Sequence, residues 1–75
     1  MKLYDLDVSG NCYKVRLFAS FINTPLTIVP VDFINGEHKT DAFIQLNPWG
    51  EIPVLEDGNI VLRDSQAILV YLASK

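Results

Sequence analysis

The pair Asp64-Ser65 stands at the predicted start of the last helix of the chain. The first N–H groups of a helix have no partner, and the helix dipole leaves partial positive charge there, so a carboxylate binds well. Ser65 adds a hydroxyl donor, and Asp64 can accept from an ammonium group. The pair therefore suits an amino-acid end group that carries both charges, or it serves as an ordinary helix cap.

Ser9 follows the first predicted strand and precedes the first helix. A hydroxyl in this position can cap the helix, or it can donate to the sulfur of a bound thiolate. A free thiol has a pKa of about 8.5, and lowering it by two units requires about 2.7 kcal/mol. One charge-assisted hydrogen bond together with a helix N-terminus could supply most of that. Cys12, one turn later, is expected to be a small packed hydrophobe.

The segment 47–55 reads Asn-Pro-Trp-Gly-Glu-Ile-Pro-Val-Leu. Its Ile52-Pro53 step has two interpretations from the residues alone. Proline can begin an edge strand, where its missing N–H is no loss. It can also hold a cis peptide bond at modest cost.

Periodicity and turn residues predict the elements that position these groups. Strands are predicted at residues 2–6, 26–31, 53–56 and 59–62, and helices at residues 11–22, 41–46 and 64–74. The β-branched second strand is predicted to be buried, and Ala67, Ile68, Tyr71 and Leu72 are predicted to form the inner stripe of the last helix. The order β-α-β-α-β-β-α predicts an α/β fold, a mixed four-stranded sheet with helices on both faces.

Composition excludes several classes of function. The chain has 75 residues, a net charge of −3 and no basic cluster, so a nucleic-acid interface is not expected. It has one cysteine and one histidine, which allow neither an intrachain disulfide nor a metal site. No signal peptide or membrane span is visible, and a cytoplasmic location is expected. The 49% apolar content is high for so small a domain. It indicates either an unusually dense core or an apolar face that binds a partner, and the second reading is favoured.

Three segments together resemble glutathione transferases. Residues 47–55 look like the family's NPxGxxPxL segment, and Asp57-Gly58 looks like its hairpin. Residues 64–68, followed by Tyr71-Leu72, are similar to its acidic-Ser-x-Ala-Ile-x-x-Tyr-Leu helix. The element order is the thioredoxin-like one of that family's N-terminal domain. The resemblance implies that residues 1–75 form a glutathione-binding domain of a longer protein, whose all-helical second domain lies outside this chain.

The resemblance also implies roles for individual residues. The Ile52-Pro53 bond is expected to be cis, so that the backbone of Ile52 pairs with the cysteinyl unit of glutathione. Asp64 and Ser65 are expected to hold the γ-glutamyl end.

At the other end of the ligand, His38 or Lys39 is expected to hold the glycine carboxylate. Ser9 occupies the place of the activating hydroxyl of serine-type transferases. Asn11 is a secondary catalytic candidate, because some relatives with disulfide reductase activity have an Asn there.

The function implied is that of a glutathione S-transferase. Glutathione is the co-substrate, its thiol attacks a small electrophile, no metal takes part, and the full-length protein is a homodimer. The isolated domain is expected to turn over weakly or not at all. Two alternatives stay open, a glutathione-dependent disulfide or peroxide reductase and a non-catalytic interaction module of the same fold.

Overall fold

The computed structural model describes all 75 residues of the chain. Strands β1–β4 and helices α1–α3 follow one another in the predicted order, with one short 3-10 turn before α2. Their bounds are β1 Lys2–Asp5, α1 Gly10–Phe21, β2 Thr27–Pro30, the turn Glu37–Lys39, α2 Asp41–Leu46, β3 Val54–Asp57, β4 Ile60–Leu62 and α3 Ser65–Ala73. No helix has the length and apolar character that crossing a membrane requires.

The four strands form one mixed sheet in the order β2-β1-β3-β4. Strands β1 and β2 are parallel, joined by a crossover through α1. Strand β3 runs antiparallel to both β1 and β4. The hairpin turn falls on Gly58 and Asn59, one residue later than predicted, because Asp57 still pairs with Ile60. Gly58 has a positive φ of 60°, which suits the first central position of a two-residue turn.

Successive strand residues point to opposite faces of the sheet, and this builds two separate cores. In β3, Val54 faces α2 and packs in a cluster with Phe43, whereas Leu55 faces α1 and α3. The larger cluster consists of Leu3, Val15, Ala19, Leu55, Ile68 and Leu72. The predicted α/β class, with helices on both faces of the sheet, is therefore confirmed.

The predicted burial of the second strand is wrong. Strand β2 lies at the edge of the sheet and pairs only with β1, so Val29 alone of its four residues is even half-buried. Its β-branched composition resembles that of a central strand, but composition does not distinguish a central strand from an edge strand.

The prediction that Ala67 belongs to the inner stripe of α3 is also wrong. Ala67 is exposed, whereas Ile68 and Leu72 are fully buried. Helical spacing places Ser65 and Leu69 beside these two residues, and Ser65 is indeed buried. The inner stripe thus begins at the hydroxyl that the sequence singled out for binding.

An apolar stripe on α1 remains uncovered. Tyr13, Leu17 and Phe21 follow one another at four-residue spacing and are 56%, 39% and 73% exposed. The stripe shows where much of the excess apolar composition lies in this chain.

Candidate functional site

The register of the sheet places one end of each of the four strands at the same end of the sheet. The parallel strands β1 and β2 finish side by side at Asp5 and Pro30. Strand β3 begins at Val54, opposite Tyr4, so its first residues lie next to the end of β1. Strand β4 finishes at Leu62, beside the first residues of β3. The segments that leave or enter these strands therefore meet at the same end of the sheet.

The predicted site residues all belong to those segments. Ser9 and Asn11 follow β1, His38 and Lys39 follow β2, Ile52 and Pro53 precede β3, and Asp64 and Ser65 follow β4. Residues separated by up to 56 positions in the sequence are thus placed around one end of the sheet.

Ile52 offers a free backbone. The Ile52-Pro53 peptide bond is cis, as the resemblance implied. Neither the N–H nor the C=O of Ile52 has a hydrogen-bond partner in the protein, although the residue is half-buried. An unpaired donor and an unpaired acceptor on one residue can pair with an extended peptide.

Asn47 holds the loop that leads to this position. Its side chain is 2% exposed, its Nδ2 donates to the carbonyl of Glu51 at 2.8 Å, and its Oδ1 accepts from the N–H of Trp49 at 3.1 Å. A buried amide that bridges two points of one loop fixes the loop's shape. Asn47 is therefore a structural residue of the site, a role that sequence analysis missed; its signal was only its place in the motif.

Gly50 packs the His38 segment against the same loop. It has a positive φ of 65°, and a Cβ built there would lie 2.9 Å from the carbonyl oxygen of His38. The His38 ring stacks on Phe33 with centroids 4.0 Å apart, and its Nδ1 is buried without a partner. The neighbouring Lys39 is exposed, and its ammonium group makes no ion pair. Lys39 is thus the more available cation beside the Ile52 loop.

The start of α3 keeps open donors. The carboxylate of Asp64 accepts from the N–H of Ala67 at 3.1 Å and so caps the helix. The N–H groups of Ser65 and Gln66 have no partner, and neither does the Ser65 hydroxyl. Capping and binding are compatible here, because the cap uses only one of the unpaired amides.

Ser9 caps α1 in the same manner. Its Oγ accepts from the N–H of Cys12 at 3.3 Å. A hydroxyl that accepts a hydrogen bond still has its own hydrogen to donate. Cys12 is fully buried, and this burial raises the pKa of its thiol, which fits a packed residue and not a reactive one. Asn11 is exposed on the first turn, and its side chain makes no hydrogen bond.

A cavity of about 450 Å³ opens beside the start of α3. Its lining includes Trp49, which is 76% exposed, together with Glu51, Asp64 and Ala67. The remaining lining residues are Asn47, Val61, Leu62 and Arg63.

The comparison with protein families agrees with this geometry. The model of the glutathione S-transferase N-terminal domain matches residues 1–74. The chain belongs to this family. It is 44% identical over 75 residues to glutathione S-transferase 3 of Zea mays and 41% identical over 75 residues to glutathione S-transferase theta-1 of Homo sapiens. All of this chain is covered, but only 34% and 31% of those two proteins. The chain thus spans about one third of the length of the curated relatives it matches.

Solved structures share the fold as well as the sequence. Human glutathione transferase theta-2, in complex with glutathione and an unknown ligand, superimposes with a TM-score of 0.90 at 38% identity, covering 97% of this chain and 30% of that one. A delta-class glutathione transferase of Nilaparvata lugens gives a TM-score of 0.94 at 38% identity, covering 99% and 35%. The thioredoxin-like fold predicted from the sequence is confirmed.

Proposed function

We propose that residues 1–75 are the glutathione-binding domain of a glutathione S-transferase and that the site activates the glutathione thiol. One observation carries the proposal. The unpaired backbone of Ile52, the unpaired amides at the start of α3 and the Ser9 hydroxyl all belong to segments that meet at one end of the sheet. A peptide with a charged end and a thiol in its middle matches those three features.

Glutathione is proposed to lie with its cysteinyl unit paired to the N–H and C=O of Ile52, as an added strand. Its γ-glutamyl carboxylate would accept from the Ser65 hydroxyl and the amides of Ser65 and Gln66. Its ammonium group would donate to Asp64. Lys39, with His38 beside it, would hold the glycine carboxylate at the other end.

In this proposal the thiol is activated by stabilising its anion. On binding, the thiol proton passes to solvent, and the Ser9 hydroxyl keeps its own proton while donating a hydrogen bond to the sulfur. The thiolate electron pair then forms the new carbon–sulfur bond. In a substitution the leaving group departs with the pair of the broken bond; in an addition the π pair moves to the neighbouring atom, which takes a proton from solvent. No step requires a metal or a nucleophile from the protein.

The finer properties of a whole protein that carries this domain are proposals of the same kind. The electrophile would be a small molecule, and the protein would work as a homodimer in the cytoplasm. These proposals rest on the membership of this chain in the glutathione S-transferase family.

A titration of the chain with glutathione, followed by amide NMR, tests the proposal. We expect saturable shifts at Ile52, Ser65 and Gln66. The matched ligand is the isomer with an α-linked glutamate, which has the same atoms but displaces the carboxylate and ammonium from α3. Ser65→Ala should lower the affinity for glutathione more than it lowers the affinity for this isomer. Equal binding of the two ligands, or shifts confined to other residues, would refute the assignment.

A further inference from the structure

The guanidinium of Arg16 bridges the end of β1 and the loop that precedes α1. It forms an ion pair with the carboxylate of Asp5, whose side chain is 5% exposed. Its Nη2 also donates to the backbone carbonyl of Asp7 at 3.2 Å. The group lies 5.8 Å from the centroid of the Tyr13 ring, so contacts on three sides hold it in place. Arginine suits such a position, because its planar fork can donate to two acceptors at once.

This loop has few other attachments. Between β1 and Ser9, the only backbone hydrogen bond within the loop runs from the N–H of Ser9 to the carbonyl of Leu6, at 3.0 Å. Val8 is 83% exposed and contributes no packing. Two side chains of α1 hydrogen-bond to the loop backbone: Arg16 donates to the Asp7 carbonyl, and the Cys12 thiol contacts the backbone of Leu6. Of these two contacts, that of Arg16 links the loop directly to Asp5 at the end of β1.

The ion pair also balances a charge close to Ser9. The Asp5 carboxylate lies near Cys12, where its negative charge adds to the raised pKa of that thiol, and the Ser9 hydroxyl lies beside the same thiol. Asp5, Asp7, Cys12, Tyr13 and Arg16 are the titratable groups around this point. Without Arg16, an unpaired buried carboxylate would stand next to the place proposed for a second, ligand thiolate.

We propose that Arg16 is a positioning residue that holds the Ser9 hydroxyl at the glutathione sulfur. It acts through Asp5 and the Asp7 carbonyl and touches no ligand itself. The inference rests on the proposed function, because it requires that Ser9 donate to a bound thiolate. A displacement of about 1 Å at a reacting group is enough to lose much of its effect.

The test compares Arg16→Ala, Arg16→Lys and Lys14→Ala in the complete chain. Lys14→Ala is the matched control, since it removes a positive charge from the same helix and from a side chain without an ion pair. The readouts are the pKa of the bound glutathione thiol, from the ultraviolet absorbance of the thiolate against pH, and the affinity for S-methylglutathione. This second ligand has no thiol to ionise, so it reports binding alone.

We expect Arg16→Ala to raise the pKa of the bound thiol by about one unit, a tenfold loss in the ratio of thiolate to thiol. Arg16→Lys should give an intermediate value, because one ammonium can keep the Asp5 pair but not both contacts. S-methylglutathione should bind all variants within about twofold, and Lys14→Ala should match the wild type. If Arg16→Ala does not fold, the Lys variant still gives the comparison.

Two results would overturn the inference. Arg16 variants with a lower melting temperature but the wild-type thiol pKa would make the pair a stabilising contact only. An equal loss of affinity for glutathione and S-methylglutathione would show a general disturbance of the site. The proposed function fails separately, and is recognised by a wild-type chain that does not bind glutathione or does not lower its thiol pKa.

Discussion

The substitution Ser9→Ala separates two roles of one hydroxyl. The Ser9 Oγ accepts from the N–H of Cys12 at 3.3 Å. Its hydroxyl also contacts the Cys12 thiol, and we propose that its hydrogen donates to the sulfur of bound glutathione. Loss of the cap should lower the free energy of unfolding by about 1 kcal/mol. Loss of a hydrogen bond to a charged sulfur costs about 1.5–3 kcal/mol. At 1.36 kcal/mol per unit, that raises the pKa of the bound thiol by roughly one to two units.

The change in the pKa of the bound thiol can be measured from the thiolate absorbance of glutathione bound to the chain. If the site lowers the thiol pKa from about 8.5 to about 6.5, roughly three quarters of the bound glutathione is ionised at pH 7. With Ser9→Ala and a pKa near 8, about one tenth remains ionised. Urea unfolding of the same samples measures the loss of the cap independently.

Two replacements at the same position serve as controls. Ser9→Thr keeps both the cap and the donor, so it should resemble the wild type in both measurements. Ser9→Asp keeps a good cap, but an ionised carboxylate has no hydrogen to donate, so stability should hold while the thiol pKa rises. If Ser9→Ala loses about 1 kcal/mol of stability and leaves the thiol pKa unchanged, the reasoning is refuted and Ser9 is only a cap. Disulfide reductase activity that survives Ser9→Ala but not Asn11→Ala would favour the reductase alternative.

Two further substitutions test the loop of the site, and a third tests the pH dependence of the fold. Asn47→Ala removes the hydrogen bonds of 2.8 and 3.1 Å that a buried amide makes to its loop, so urea unfolding should show a loss of about 2–3 kcal/mol and calorimetry a weaker affinity for glutathione. Gly50→Ala, at a φ of 65° and with its new Cβ 2.9 Å from the His38 carbonyl, should lower the melting temperature, with a cost of at least about 1–2 kcal/mol. The hydrogen bond from Tyr71 lowers the pKa of Asp57, so Asp57 stabilises the fold above the carboxyl's unfolded pKa, and this contribution is lost as the pH falls through the lower folded pKa. Asp57→Asn should therefore unfold with less pH dependence below about pH 4, as followed by circular dichroism.

Much of the fold could be predicted from periodicity and turn residues. The order of elements and the bounds of α2 agree with the structure, because caps, prolines and apolar spacing are local signals. The burial of β2 could not be predicted, since an edge strand and a central strand can have the same composition. Strand order is a property of pairing between distant segments, and no single segment records it.

For the candidate site too, some residues could be predicted from the sequence and others could not. Ile52 and Ser65 could be singled out by residue type within a motif, and the structure leaves unpaired the N–H and C=O of Ile52 and the N–H of Ser65. The roles of Asn47 and Arg16 depend on which carbonyls their side chains reach, and those contacts exist only after the chain has folded. A lone polar residue in a sequence gives no sign of its future partner.

The residues of this site carry structural and chemical roles at once. Ser9 caps α1 and Asp64 caps α3, each through one acceptor, and each retains polar atoms that a ligand could use. Replacing either residue by alanine should therefore change stability and binding together, and a loss of activity alone would not identify the role. Only variants that keep the cap and remove the donor, or ligands that lack the thiol, separate the two. The capping geometry explains why a motif can suggest a binding residue and a helix cap with equal force.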